Sequence, residues 1–219
     1  MTNQRGAMLQ KEVSDQGTLN VLGGKQVQRY FISNDTKGKI AKSQINDEKA
    51  YIKNNTVLVQ NIVAHVMKPQ PRVIIIATVP DIDIIEKNII LDTVNQLTNK
   101  SKLSNKFILA VLGSNLICWY VYRFIFANAI RTMHFDNGTT EKIPFPILDL
   151  KNAKDKKAHD EVVKLVEKMC DYVKKREATS LAAERSRLQE HIDYTEMLLN
   201  KAVYEIYRLT DDEIRVVEG

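Results

Sequence analysis

The sequence predicts an α+β protein: a mixed sheet with one buried apolar helix, followed by an antiparallel pair of long helices. Three observations carry that expectation. Short β-branched runs separated by polar turns fill residues 21–79. A stretch of strong apolarity, FILAVLGSNLICWYVYRFIFANAI (Phe107–Ile130), follows them. From Lys151 onward, apolar residues recur at helical spacing with charges between them. A boundary near Leu150 then separates a first domain, residues 1–150, from a helical part, residues 151–219.

Met1–Asn20 is polar and without periodicity, and reads as a loose start. Val21–Ile32 (VLGGKQVQRYFI) reads as a turn at Gly23-Gly24 feeding one strand. Alternation there puts Val27, Arg29 and Phe31 on one face and Gln26, Gln28 and Tyr30 on the other. Asn34–Glu48 is a polar loop. Thr56–Val66 (TVLVQNIVAHV) is long enough and β-branched enough for a strand, and Lys68-Pro69-Gln70-Pro71 breaks it from Arg72–Val79. The near-uniform apolarity of Arg72–Val79 predicts cover on both faces. Ile82–Leu97 mixes short apolar runs with turns at Asp81 and Asn88.

Phe107–Ile130 has about the 20 residues of a membrane span. Asn115, Arg123 and Asn128 fall inside it, however, and a charge at mid-bilayer costs about 2.5–3.5 kcal/mol even on lenient scales. The stretch reads instead as a helix sunk in a soluble core, with Leu109, Leu112, Leu116, Trp119 and Tyr120 on one side. After the turn pair Asn137-Gly138, Pro144 and Pro146 hold Lys142–Ile147 extended, as an edge strand or as a linker with Phe145 buried.

His159–Tyr172 places apolar residues at 162, 165, 166 and 169, continued at 173, on one helix face. Leu181, Arg185, Leu188, Ile192, Thr195, Leu199, Ala202, Ile206 and Leu209 alternate steps of four and three, a heptad seam with two polar interruptions. Thr210 and Glu213 form a capping box that opens a short helix, Asp211–Val217.

The 219 residues carry a net charge of +5. Residues 151–219 hold 14 Lys/Arg against 15 Asp/Glu, so residues 1–150, with 18 against 12, carry the positive excess and would attract a polyanion. Cys118 and Cys170 stand apart in apolar helical settings, without a CxxC pair, as buried free thiols of a cytoplasmic protein. No phosphate-binding GxxxxGK[ST], GxSxG or HExxH occurs, nor does an Asp/Asn-Pro-Pro-aromatic methylation motif. The four histidines (65, 134, 159 and 191) are scattered, so no metal site is expected.

Asp81, Asp83, Glu86 and Lys87 have the residue types of a metal-dependent nuclease. As strand neighbours, though, Glu86 and Lys87 would face opposite ways. Asp47-Glu48-Lys49 has the acidic-x-Lys spacing but lies in a polar loop. A nuclease is therefore the weakest of three functional readings.

Taken in order, GGKQVQRYF, VLVQNIVAHV before RVIIIATV, FILAVLGSNLICWYVYRF, IRTMHFDNGTTEKIPFPIL and LLNKAVYEIYRLTDDEIRVVE resemble the TaqI-like specificity domain. That domain is the carboxyl-terminal target-recognition part of adenine-specific DNA methyltransferases and fused type II restriction–modification enzymes, and it is similar to type I specificity subunits. The likeness runs from about Val21 to the end. It implies a non-catalytic, cytoplasmic module that reads double-stranded DNA in the major groove. Its partner would be a separate methyltransferase domain or subunit, and S-adenosylmethionine would bind there, not in this chain. No membrane association is expected. Sequence-reading residues in such domains lie on variable loops, so candidates come from residue chemistry instead. Lys25, Arg29, Lys53, Lys68, Arg72 and Lys142 suit phosphates, while Gln28, Gln60, Asn61, His65, Gln70 and Arg131 suit base edges. The rival to this reading is a helical scaffold or assembly subunit that reads no DNA.

Overall fold

A computed structural model describes all residues, 1–219. Eleven strands come in chain order: β1 (Thr2–Arg5), β2 (Leu19–Leu22), β3 (Val27–Gln28), β4 (Phe31–Ile32), β5 (Lys39–Ile40), β6 (Thr56–Gln60), β7 (Ala64–Val66), β8 (Arg72–Ile74), β9 (Ala77–Thr78), β10 (Asn88–Ile90) and β11 (Val94–Thr98). The helices are α1 (Ile82–Lys87), α2 (Asn105–Gly113), α3 (Asn115–Tyr120), α4 (Asn137–Thr140), α5 (Ala153–Ala178), α6 (Ala182–Tyr207) and α7 (Asp211–Glu218). The fold is α+β, with mixed and antiparallel sheets and two long helices that pack together.

Two compact units divide the chain. One comprises Met1–Ala64, Ile74–Ser101 and Ala129–Ile143; the other comprises His65–Val73, Lys102–Asn128 and Pro144–Gly219. A single cut near Leu150 does not describe this, because the second unit takes a hairpin segment and the apolar helices from the earlier part of the chain. The charge divides accordingly. The first unit holds 13 Lys/Arg against 11 Asp/Glu, a balance of +2, and the second 19 against 16, a balance of +3.

The first unit is built on a four-stranded antiparallel sheet in the order β1-β11-β6-β9. The amino terminus is therefore no loose start: Thr2–Arg5 pairs with Thr98–Asn95 along its whole length. A three-stranded sheet, β10-β2-β5, adds a parallel pair between β10 and β2. Leu22, Val27, Ile52, Leu58, Ile90 and Val94 form one buried cluster; Ala7, Leu9, Val21, Ile40, Ala50, Ile89 and Leu91 form another. Gly6 sits where a Cβ would come within 2.4 Å of the Leu91 carbonyl oxygen, so only glycine lets the chain pass.

Val21–Ile32 is not one strand. Residues 19–22 pair in a sheet, Gly24–Gln26 makes a 3-10 turn, and β3 and β4 close a tight hairpin with Tyr30 at φ 69°. Thr56–Val66 likewise breaks after Gln60, and Ile82–Lys87 is a short helix.

In the second unit the apolar stretch is two helices, α2 and α3, meeting at 54°. Ser114 makes the break. It leaves helical geometry at ψ 149°, its Oγ donates to the Val111 carbonyl at 2.8 Å, and the same oxygen accepts the Ile117 N–H. No single helix is long and apolar enough to cross a membrane. Phe107–Leu112, Leu116–Cys118, Val121 and Tyr122 are buried. The helix α2 packs on α5, and α5 packs on α6 across the short Thr179–Leu181 link.

The seam read from sequence holds from Leu188 to Leu199, whereas Leu181 remains 65 % exposed. The expected capping box is present, with the Thr210 N–H donating to Glu213 Oε2 at 2.7 Å and the Thr210 hydroxyl accepting from the Glu213 N–H. Glu218 fastens α7: it accepts from Asn115 Nδ2 and from the Tyr204 hydroxyl, while Val217 packs on Leu116, Val203 and Tyr204. The run after Lys142 forms no strand, and Ile147 is fully exposed.

Candidate functional site

The 3-10 turn and the β3–β4 hairpin of the first unit border an open cleft of about 670 Å³. Gly23-Gly24 lies along one wall because its backbone runs flush against Thr93, whose hydroxyl accepts the Gly24 N–H at 2.9 Å. A Cβ on Gly24 would press on the Thr93 carbonyl at 3.3 Å. Gln26 folds back to accept the Gly23 N–H at 3.0 Å. Gln60 braces the turn from β6, its Nε2 donating to the carbonyls of Gly24 and Val27, both at 2.8 Å.

The rim carries exposed Lys25 and Lys37, half-exposed Gln28 and the apolar Ile62 and Ile76. No acidic residue lines the cleft. Neither Lys25 nor Lys37 enters an ion pair, so neither charge is neutralised by a neighbour. Chemically the cleft combines mostly apolar surface with two lysine charges and backbone and side-chain amide groups at its edge.

The twelve candidate residues divide between the units. Lys25, Gln28, Arg29, Lys53, Gln60, Asn61, Arg131 and Lys142 belong to the first; His65, Lys68, Gln70 and Arg72 belong to the second. Of the first set, Lys25, Gln28 and Gln60 line the cleft. Arg29 stands at the hairpin turn with its guanidinium 5.4 Å from the Tyr30 ring centre. Lys53 donates to Gln4 Oε1, and Arg131 and Lys142 are exposed.

Three amides of the first set are engaged within the fold. Gln28 Nε2 donates to the Lys25 carbonyl at 2.7 Å. Gln60 spends its NH2 group on the turn backbone. Asn61, at 3 % exposure, is an interior residue: its Nδ2 meets His134 Nδ1 at 3.0 Å and its Oδ1 accepts from Asn95 Nδ2 at 3.3 Å.

In the second unit Gln70 Nε2 donates to the Val216 carbonyl at 2.8 Å, which ties α7 to the β7–β8 hairpin. Arg72 donates to the Gln70 carbonyl, and His65 packs edge-on to Tyr122. Only Lys68 of this group is exposed.

Sequence reasoning missed Lys37 and Thr93. Lys37 lies in a polar loop with nothing local to mark it; its place on the rim comes from the Lys37 N–H donating to the Val21 carbonyl. The carboxylates of the nuclease reading serve helix α1. Asp81 caps it through the Ile84 N–H, and Asp83 pairs with Lys87 one turn on. Asp47 caps a 3-10 turn.

No family model matches the chain, and no curated protein matches it either.

Proposed function

We propose that this chain is a sequence-specific double-stranded DNA recognition module that positions a separate adenine methyltransferase, and in a fused enzyme a nuclease, on its target site. The observation that carries the reading is the acid-free cleft of the first unit, with unpaired Lys25 and Lys37 on its rim beside Gln28. Lysines bind phosphates as point charges and set register, while amides beside them discriminate base edges. Two unpaired lysines on one rim would draw the phosphates of a duplex and make its binding depend on salt. The ordered resemblance to target-recognition domains points the same way. In this reading the chain holds no cofactor of its own, S-adenosylmethionine belongs to the partner, and both work in the cytoplasm.

The test is selection from a pool of randomised duplexes by the purified chain. A reproducible enriched motif is the expected result. Retention of duplexes without any enrichment would reduce the chain to non-specific binding, and no retention at low salt would remove DNA as its partner.

A further inference from the structure

Asn61 is buried for a reason that bears on its neighbour. Its amide orientation is set from inside, because Oδ1 accepts from Asn95 Nδ2, and Asn95 is itself 1 % exposed. Asn61 therefore turns its Nδ2 donor toward His134 Nδ1 at 3.0 Å. A nitrogen that accepts carries no proton, so neutral His134 is the tautomer with its hydrogen on Nε2.

The backbone around it is equally held. Phe135 N–H donates to the Asn61 carbonyl at 2.7 Å, Val63 N–H to the Met133 carbonyl at 3.2 Å, and Ile62 and His134 form a β-bridge. The Phe135 carbonyl accepts from the side chains of Asn3 and Asn95. These amide and backbone ties hold the strand around one exposed residue, which sits across from Ile62 of the cleft and whose ring bonds only Asn61, while its carbonyl accepts from the Thr139 hydroxyl at 3.3 Å. An interior network spent on a surface imidazole is what a pre-oriented binding group requires.

We infer, resting on the DNA reading above, that His134 is a duplex-contacting residue. It presents Nε2–H to an acceptor of bound duplex at the edge of the Lys25–Lys37 cleft, and Asn61 is the residue that positions it. The acceptor is either a base-edge atom such as guanine O6 or N7, or a phosphate oxygen.

The experiment compares the whole chain with His134→Leu, His134→Gln and Asn61→Asp, each checked for the wild-type circular dichroism spectrum. The probes are the randomised-duplex pool and one duplex drawn from the wild-type enriched set. His134→Leu should bind that duplex about tenfold more weakly, the loss of one hydrogen bond to the ligand. His134→Gln should restore most of the binding, since a glutamine amide can accept from Asn61 and donate outward. Loss of preference at one position of the selected motif identifies a base edge; an equal loss on every sequence identifies a phosphate. Imidazole ¹⁵N spectra should show a protonated Nε2 in wild type, and Asn61→Asp should move the proton to Nδ1 and weaken binding with it. Unchanged affinity and motif in His134→Leu would overturn the assignment while leaving the cleft reading intact. A wild-type chain that binds no duplex would overturn both.

Discussion

At the scale of single residues, the interior of the first unit is organised by amides as much as by aliphatic contacts. Asn61, Asn95 and Gln96 are buried between strands, and Gln96 accepts the Lys53 N–H at 2.9 Å while donating to the Tyr51 carbonyl at 3.1 Å. Removing one such partner strands another in the interior, which costs about 1–3 kcal/mol. Asn95→Leu is therefore expected to lower unfolding free energy by that amount in urea titration, whereas Asn54→Leu on the exposed loop should stay within about 0.5 kcal/mol.

The thiol of Cys170, half-buried where the sequence predicts a buried one, gives a pH signature. Burial pushes it up from 9.0 to about 11, and burial also raises the hydroxyls of Tyr204, beside Glu218, and of Tyr207. Groups that resist ionisation when folded hold their stabilisation below the unfolded value and lose it as pH rises through the folded one. The urea midpoint should hold steady up to about pH 9 and fall between about pH 9 and 11. A midpoint that rises across that window would contradict the burial of these groups.

Among the elements, those with a local signature were the ones legible in the sequence. Helices α5 and α6 announce themselves by period, and α7 by Thr210 and Glu213 three residues apart. The apolar stretch was legible as buried helix but not as two helices. A single serine inside a greasy run reads as tolerated until its hydroxyl is seen capping α3. Ser114→Ala should cost about 1 kcal/mol through the lost cap. Within the long pair, Leu199→Ala should cost about 2–5 kcal/mol and Leu181→Ser within about 0.5 kcal/mol, since the first is 4 % and the second 65 % exposed. Thermal unfolding of the two variants measures the contrast directly.

The strand β1 was not legible because TNQR has no apolar alternation. It is an edge strand whose stability comes from β11, over ninety residues away. The same holds for the candidate site. Lys25 and Gln28 could be read from their residue types, but the duty of Asn61 depends on His134, 73 positions on, and no local pattern records that partnership.

For the whole molecule, the two units are discontinuous in sequence, and this changes which constructions of the chain make sense. A cut after Leu150 would strip α2 of α5, the helix it packs on, and expose Phe107 and its apolar neighbours. Such a fragment should bind hydrophobic dyes and aggregate, so the roles of sheet and helices are better separated by point substitution.

DNA affinity assigned to the cleft makes the most direct demand on the molecule as a whole. Each phosphate neutralised by a lysine contributes about 0.9 to the slope of log affinity against log salt. The decisive measurement is that slope for intact chain, for Lys25→Ala/Lys37→Ala, and for a control pair, Lys164→Ala/Lys168→Ala, exposed on α5. The account predicts a slope shallower by about 2 in the cleft variant and an unaltered one in the control. Equal slopes in all three proteins would contradict it.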